Sequence, residues 1–195
     1  MDLAALTEFL PTLALAIALA ASAGLRAWLP LLLAGALSRW DILDLGPAFQ
    51  FLGSNKALVL FGVATAVELI GDKVPAIDHA LDVIGTPLRP AAGALLAASV
   101  LGRVSDPLTA LVLGTAVGAP SALVPHAAKS ALRATSTALT AGVANPILSL
   151  IEDVISLVTF LLALLVPLLV VALLGITLFV ASRWFQRRRA RAPAA

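Results

Sequence analysis

Residues 146–182 read PILSLIEDVISLVTFLLALLVPLLVVALLGITLFVAS, and residues 6–40 read LTEFLPTLALAIALAASAGLRAWLPLLLAGALSRW. As a single straight helix rising about 1.5 Å per residue, each stretch would run about 52–55 Å, whereas the hydrocarbon core of a bilayer is only about 30 Å thick. Each must therefore be broken, strongly tilted, extended beyond the bilayer or folded back as a hairpin. Break points are present in both: Gly24 ahead of Arg26 with Pro30 beyond it, and Pro167 with Gly175. Proline removes a helix hydrogen bond, and glycine loosens the backbone at such sites.

The composition agrees. The chain has 195 residues, of which 61% are hydrophobic and 12% charged, and its mean hydropathy is +1.04. That is too little charge to clothe a soluble core of this length. There is no Cys, which excludes a disulfide framework, a thiolate nucleophile and a Cys metal site. Tyr is also absent, leaving Trp28, Trp40 and Trp184 as interface markers. The net charge of +2 does not point to nucleic acid, because five of the thirteen basic residues lie in the last thirteen positions. Arg183, Arg187, Arg188, Arg189 and Arg191 follow the apolar run directly. The positive-inside bias then places the C-terminus in the cytoplasm, with residues 1–182 as one membrane domain and 183–195 as a basic tail. That tail could also attract anionic headgroups. Met1 to Ala23 has no basic leader and carries Asp2 and Glu8, so this first apolar segment is expected to be retained.

Between the long stretches lie three shorter membrane segments, Ala57 to Gly71, Pro87 to Gly102 and Pro107 to Val124, giving five or six spans. Pro75 to Arg89 and His126 to Thr140 mix charges with apolar residues, which suits interfacial or re-entrant segments. The expected fold is an all-α polytopic transmembrane bundle with broken or re-entrant helices. A weak echo links Ser22–Ala27 with Ser130–Ala134 and Glu68–Val74 with Ser149–Val154. It reads either as two internal repeats of the transporter kind or as chance in an Ala/Leu-rich chain.

The chemistry of the chain rests on its few charges. Arg26 has no other charge between Glu8 and Arg39, and an unpaired Arg at mid-membrane costs at least about 2.5–3.5 kcal/mol. It either snorkels, pairs structurally or serves a polar site. Glu68 and Asp72 are four apart and so share a helix face, with Lys73 beside them. Asp78 and Asp82 repeat the spacing, and His79 lies three before Asp82. Such a group could relay protons or bind a cation, and Asp78, His79 and Asp82 could hold a divalent metal. Arg89 in Thr86-Pro87-Leu88-Arg89-Pro90 could neutralise Asp78 or Asp82, or read a substrate phosphate or carboxylate. His126, Lys129 and Arg133, at spacings of three and four, align on one helix face. They suit an anion or lipid phosphate, or pairing with Glu152 and Asp153 across the bundle. The interval Thr135 to Pro146 adds hydroxyls and Asn145 at membrane depth, as a lined pathway would.

The blocks ASAGLRAWLPLLL, VELIGDKVPAIDHALDVIGTPLRPAAGALL and HAAKSALRATSTALTAGVANPILSLIEDV, in that order, resemble the bacterial membrane-protein family catalogued as the domain of unknown function numbered 4126. The resemblance runs from about Leu10 to Leu174 and implies a small multi-span helical protein of the bacterial cytoplasmic membrane, with no activity or site to carry over. The residues themselves favour a transporter or channel-like permease lined by Arg26, Glu68, Asp72, Asp78, Asp82 and Arg89, with proton coupling through Glu68 or Asp72 as one version. Its partners would be membrane lipids and an ion, small-molecule or lipid substrate. The alternatives are a membrane-embedded enzyme or binding protein acting on a lipid phosphate with Mg²⁺, or a scaffold subunit. No catalytic signature supports the enzyme. Gly114 and Gly118, at four-residue spacing, allow a close helix contact between copies and hence a homo-oligomer.

Overall fold

The computed structural model describes the backbone of residues 3–191; the side chains of Asp78, His79, Arg187, Arg188, Arg189 and Arg191 are among those outside the described set. Its elements are helical throughout. The first long stretch folds back as a hairpin: α1 (Leu3–Ala23) stops at Gly24, and α2 (Trp28–Arg39) returns. The return is fixed at its far end, where the Gly46 amide donates to the Ser99 carbonyl at 2.8 Å and Asp44 meets Arg103 at 3.1 Å. A 3₁₀ turn, Pro47–Gly53, then leads into α3 (Asn55–Gly71) through a 57° bend. The Ser54 hydroxyl caps α3 by accepting from the Ala57 amide at 3.2 Å.

Two expectations are corrected here. Pro75 to Arg89 is not a separate interfacial segment but the first half of α4 (Pro75–Leu101), which continues through Pro87 and Pro90. Each proline deletes one backbone bond, yet α4 packs along α1, α6 and the turn that precedes α6, and that burial carries the helix past the defects. His126 to Thr140 likewise continues a 34-residue run from Pro107 to Thr140. This run comprises α5 (Pro107–Leu113), a π turn at Gly114–Gly118 and α6 (Ala119–Thr140). The second long stretch breaks at Val166 between α7 (Asn145–Leu165) and α8 (Pro167–Arg191). Pro167 is thus a break as expected, whereas Gly175 lies within α8, and that helix runs on through Arg183 into the basic tail.

Among the described residues, four helical runs are long and apolar enough to cross a membrane, or five if the bent pair at Pro47–Gly71 is one span. The surface confirms the solvent. Val59, Leu60, Val63, Val67 and Ile70 of α3 are all more than half exposed, while Arg26, Arg89 and Asp72 are buried to within 1%. Apolar residues outside and charges inside is the arrangement expected of a chain in lipid. Among the tryptophans, Trp40 and Trp184 lie on the surface. Trp28 is half-buried, stacking on Phe61 with ring centroids 6.1 Å apart and packing on the core.

The core is made of small side chains. Ala16, Ala18, Leu19, Ala20 and Ala23 of α1 lie against Leu96, Ala97 and Ala98 of α4, all essentially inaccessible. Gly114 and Gly118 complete this seam. A Cβ on Gly118 would stand 2.4 Å from the Gly93 carbonyl oxygen, and one on Gly114 would stand 2.5 Å from the Ala98 nitrogen. Their close approach is therefore made to α4 within the chain, not to a second copy. The echoed segments also fall on unlike elements, since Glu68 and Asp72 close α3 while Glu152 and Asp153 lie near the start of α7.

Two glycines provide a matched test of this packing. Gly118→Ala should lower stability in detergent by about 1–3 kcal/mol, the usual cost of overpacking. Gly62→Ala, where a Cβ meets nothing within 4 Å, should raise it by up to about 1 kcal/mol through helix propensity. Equal thermal midpoints for the two variants would refute the seam.

Candidate functional site

Five separate segments deliver charges to one region. Arg26 comes from the α1–α2 break, Glu68 from the last turn of α3 and Asp72 from just after it, and Asp82 and Arg89 from α4. His126, Lys129 and Arg133 come from α6, and Glu152 and Asp153 from α7. Their spacing explains the convergence. On α6 the basic residues recur every three or four positions, and His126, Lys129 and Arg133 are all buried on one face. Ser149, Glu152 and Ser156 form the corresponding inward stripe of α7.

The Arg26 guanidinium is fully buried and pairs with the Asp72 and Asp153 carboxylates. It also donates to the Ser149 hydroxyl at 2.9 Å and to the Ser149 carbonyl at 3.2 Å. Arg133 grips Glu152 with two parallel bonds of 3.0 and 2.7 Å and reaches Asp72 at 3.2 Å and Asp82 at 3.4 Å. Such a planar fork is something lysine cannot reproduce. The Lys129 ammonium lies 3.2 Å from Glu152, 3.7 Å from Asp72 and 3.9 Å from Asp82, and donates to the Leu25 carbonyl at 3.4 Å. Arg89 contacts Asp82 at 3.3 Å, Glu68 at 3.9 Å and His126 Nδ1 at 3.1 Å. Because an arginine can only donate, His126 Nδ1 is the acceptor and its proton resides on Nε2.

Glu68 has a second role. Its carboxylate accepts from the Ala27 and Trp28 amides at 3.3 and 3.4 Å, so a buried negative group from α3 caps the N-terminus of α2. Lys73 lies on the rim, 37% exposed at its side chain, and meets Asp153 at 3.2 Å. Among the described residues, the network thus joins five cations (Arg26, Lys73, Arg89, Lys129 and Arg133) to five carboxylates (Glu68, Asp72, Asp82, Glu152 and Asp153). The balance is what lets so many charges lie at membrane depth.

The sequence-based metal set of Asp78, His79 and Asp82 is only partly described. Among the described residues no three His, Asp or Glu side chains gather to hold an ion. Asp82 turns instead to Arg89, Lys129 and Arg133, and the side chains of Asp78 and His79 lie outside the described set. The expected partnership of Lys129 and Arg133 with Glu152 is present. Sequence reading missed Ser149, Ser156 and the Leu25 carbonyl. The serines carry a signal in hindsight, falling three before and four after Glu152 on the same face.

A polar cleft adjoins the network. A cleft of about 430 Å³ between α4, α6 and the start of α7 is lined by Asp82, Thr86, Ser130, Arg133, Thr137 and Asn145. Asp82 is 31% exposed there at its side chain. The Asn145 amide donates to Thr137 at 3.1 Å, while its carbonyl oxygen has no partner. The hydroxyl-rich interval thus does line a cavity.

A family model covers most of these elements, matching residues 13–187. The chain belongs to the family described as domain of unknown function DUF4126. Searches of curated proteins and of solved structures return no match. For this DUF4126 chain, then, the charged network itself is what remains to be explained.

Breaking the network from one side should cost far more than removing a pair. Arg26→Met and Asp72→Leu should each destabilise the protein by about 3–5 kcal/mol, since each strands a buried charge. The double variant should lose clearly less than their sum. Unfolding titrations of the three variants would check this, and simple additivity would contradict the pairing.

Proposed function

We propose that this membrane protein is a small permease whose solute or ion movement is coupled to protonation of the buried network, with Asp82 as the entry point. One observation carries the reading. Asp82 is at once open to the polar cleft and within 3.3–3.9 Å of Arg89, Lys129 and Arg133. Neutralising this carboxylate would leave a balanced set one negative charge short. Arg89 would then lean on Glu68, and Lys129 and Arg133 on Asp72 and Glu152, all of which already lie within 4 Å of them. Re-pairing of this kind pulls α4, α6 and α7 relative to one another, so protonation is converted into helix movement. Ionisable residues inside membrane bundles commonly serve such relays.

Orientation follows from charge. α8 packs along α1 and α7 and carries the basic tail at its C-terminal end. By the positive-inside bias, that end faces the cytoplasm.

The test is transport by the purified protein in proteoliposomes under an imposed pH gradient, screening cations, small metabolites and lipids. Wild type should acidify or alkalinise the lumen with at least one solute present, and Asp82→Asn, checked to be folded, should reduce that flux by roughly tenfold or more, about 1.4 kcal/mol or greater. Vesicles that move nothing, or an Asp82→Asn protein as active as wild type, would dismiss the proposal.

A further inference from the structure

The imidazole of His126 takes no part in the charge pairing and yet touches it. Its Nδ1 atom lies 3.1 Å from Nη1 of Arg89, and only 8% of the residue is exposed. The Arg89 guanidinium is itself laid over Gly85, one turn back on α4. A Cβ at Gly85 would stand 2.8 Å from Arg89 Cζ and Nη1 and 3.1 Å from Nη2, so the space of the missing side chain is the space the guanidinium occupies. Asp82 holds the same group at 3.3 Å and Glu68 at 3.9 Å. Of the residues that seat Arg89, His126 is the one contributed by α6.

A single lone pair makes this contact. A neutral imidazole has one acceptor nitrogen, and an arginine can only donate. A proton arriving at Nδ1 therefore needs the orbital that the Arg89 N–H already uses, and an imidazolium beside a guanidinium is a pair of like charges. Imidazole is also the side chain that ordinarily changes charge between about pH 5 and 8. Among the described residues, the charges around His126 are mixed in sign. Lys129 and Arg133 follow it on α6, and α4 brings Arg89 and Asp82. Glu68 of α3 stands 3.9 Å from Arg89, and Glu152 of α7 stands 3.2 Å from Lys129. α1 carries no charge between Glu8 and Arg26, the π turn carries none, and α8 carries none from Pro167 to Ser182. The competition at Nδ1 is local and does not depend on the sum of these charges.

We propose that His126 is a proton-binding site in which a proton and the Arg89 guanidinium exclude one another at Nδ1. One N–H bond forms with a proton drawn from the aqueous phase, one hydrogen bond from Arg89 is lost, and the guanidinium falls back on Asp82 and Glu68. Protonation thereby removes this tie between α4 and α6. The site adds a second proton acceptor to the permease reading and rests on that reading only for the use to which the movement is put.

The experiment is magic-angle-spinning NMR of the full-length protein in lipid vesicles, with histidine and arginine labelled with ¹⁵N, titrated from about pH 8.5 to about pH 5. The chain holds two histidines, and comparison with His79→Gln assigns the His126 signals. At the alkaline end His126 should be neutral and protonated at Nε2, with a through-space correlation between Nδ1 and the Arg89 side chain. On acidification the imidazolium should appear, and that correlation should vanish in step with it. Gly85→Ala, whose Cβ takes the place of the guanidinium, should abolish the correlation at alkaline pH while the imidazole still takes up its proton. A proton on Nδ1 at alkaline pH, an imidazolium that keeps its Arg89 correlation, an imidazole that stays neutral throughout, or a correlation unchanged in Gly85→Ala would each overturn the site. Should Gly85→Ala fail to fold, the titration with Gly85 in place decides alone. None of these readouts needs a transported solute, so vesicles that move nothing would dismiss the permease and leave this site standing.

Discussion

The rest of the structure depends on keeping Arg26 charged where there is no water. This guanidinium sits in the turn between α1 and α2, wholly buried, and Asp72, Asp153 and Ser149 are drawn in from α3, α7 and their junctions to meet it. An arginine cannot shed its charge to escape the cost of burial. The chain must therefore bring carboxylates to it, and those carboxylates in turn gather Lys129 and Arg133. What begins as one unaffordable charge ends as a balanced lattice tying five of the helices together.

Such a lattice needs helices that approach closely, and the packing supplies this. α1 contributes a face of alanines, α4 presents Gly93 and Ala97, and the π turn at Gly114–Gly118 brings backbone against backbone. In lipid the hydrophobic effect does little to press helices together, so small residues and buried polar contacts do the holding. The π turn also resets the helical phase after residue 113, just ahead of the face that carries His126, Lys129 and Arg133.

The network is approached from two unlike sides. A hydroxyl-lined cleft exposes Asp82, and an aliphatic groove on the other side of α6 reaches the buried side chains of Lys129 and Glu152. α6 stands between them and contributes to both walls. The two openings are joined by contacts of 2.7–3.9 Å around Arg133 and Lys129.

Much of this was legible in the residues. Apolar runs longer than a bilayer forced the breaks at Gly24 and Pro167, and the helical repeat aligned His126, Lys129 and Arg133 on one face. The same cost of an unpaired buried charge marked Arg26, Glu68, Asp72, Asp82, Arg89, Glu152 and Asp153 as a set. Other readings failed where long-range packing overrode local signals. Pro87 and Pro90 looked like a helix entry but sit inside α4, because tertiary burial outweighs two missing backbone bonds. Gly114 and Gly118 looked like an oligomer seam but serve the chain's own core. Sequence by itself thus determined that the protein lives in lipid and that its charges must be compensated, since both follow from composition and the energetics of transfer. Only the tertiary structure decided which cation meets which carboxylate and which of them lie at an opening, because pairings such as Arg26 with Asp72, 46 positions apart, and Lys73 with Asp153, 80 positions apart, lie beyond the reach of any local periodicity.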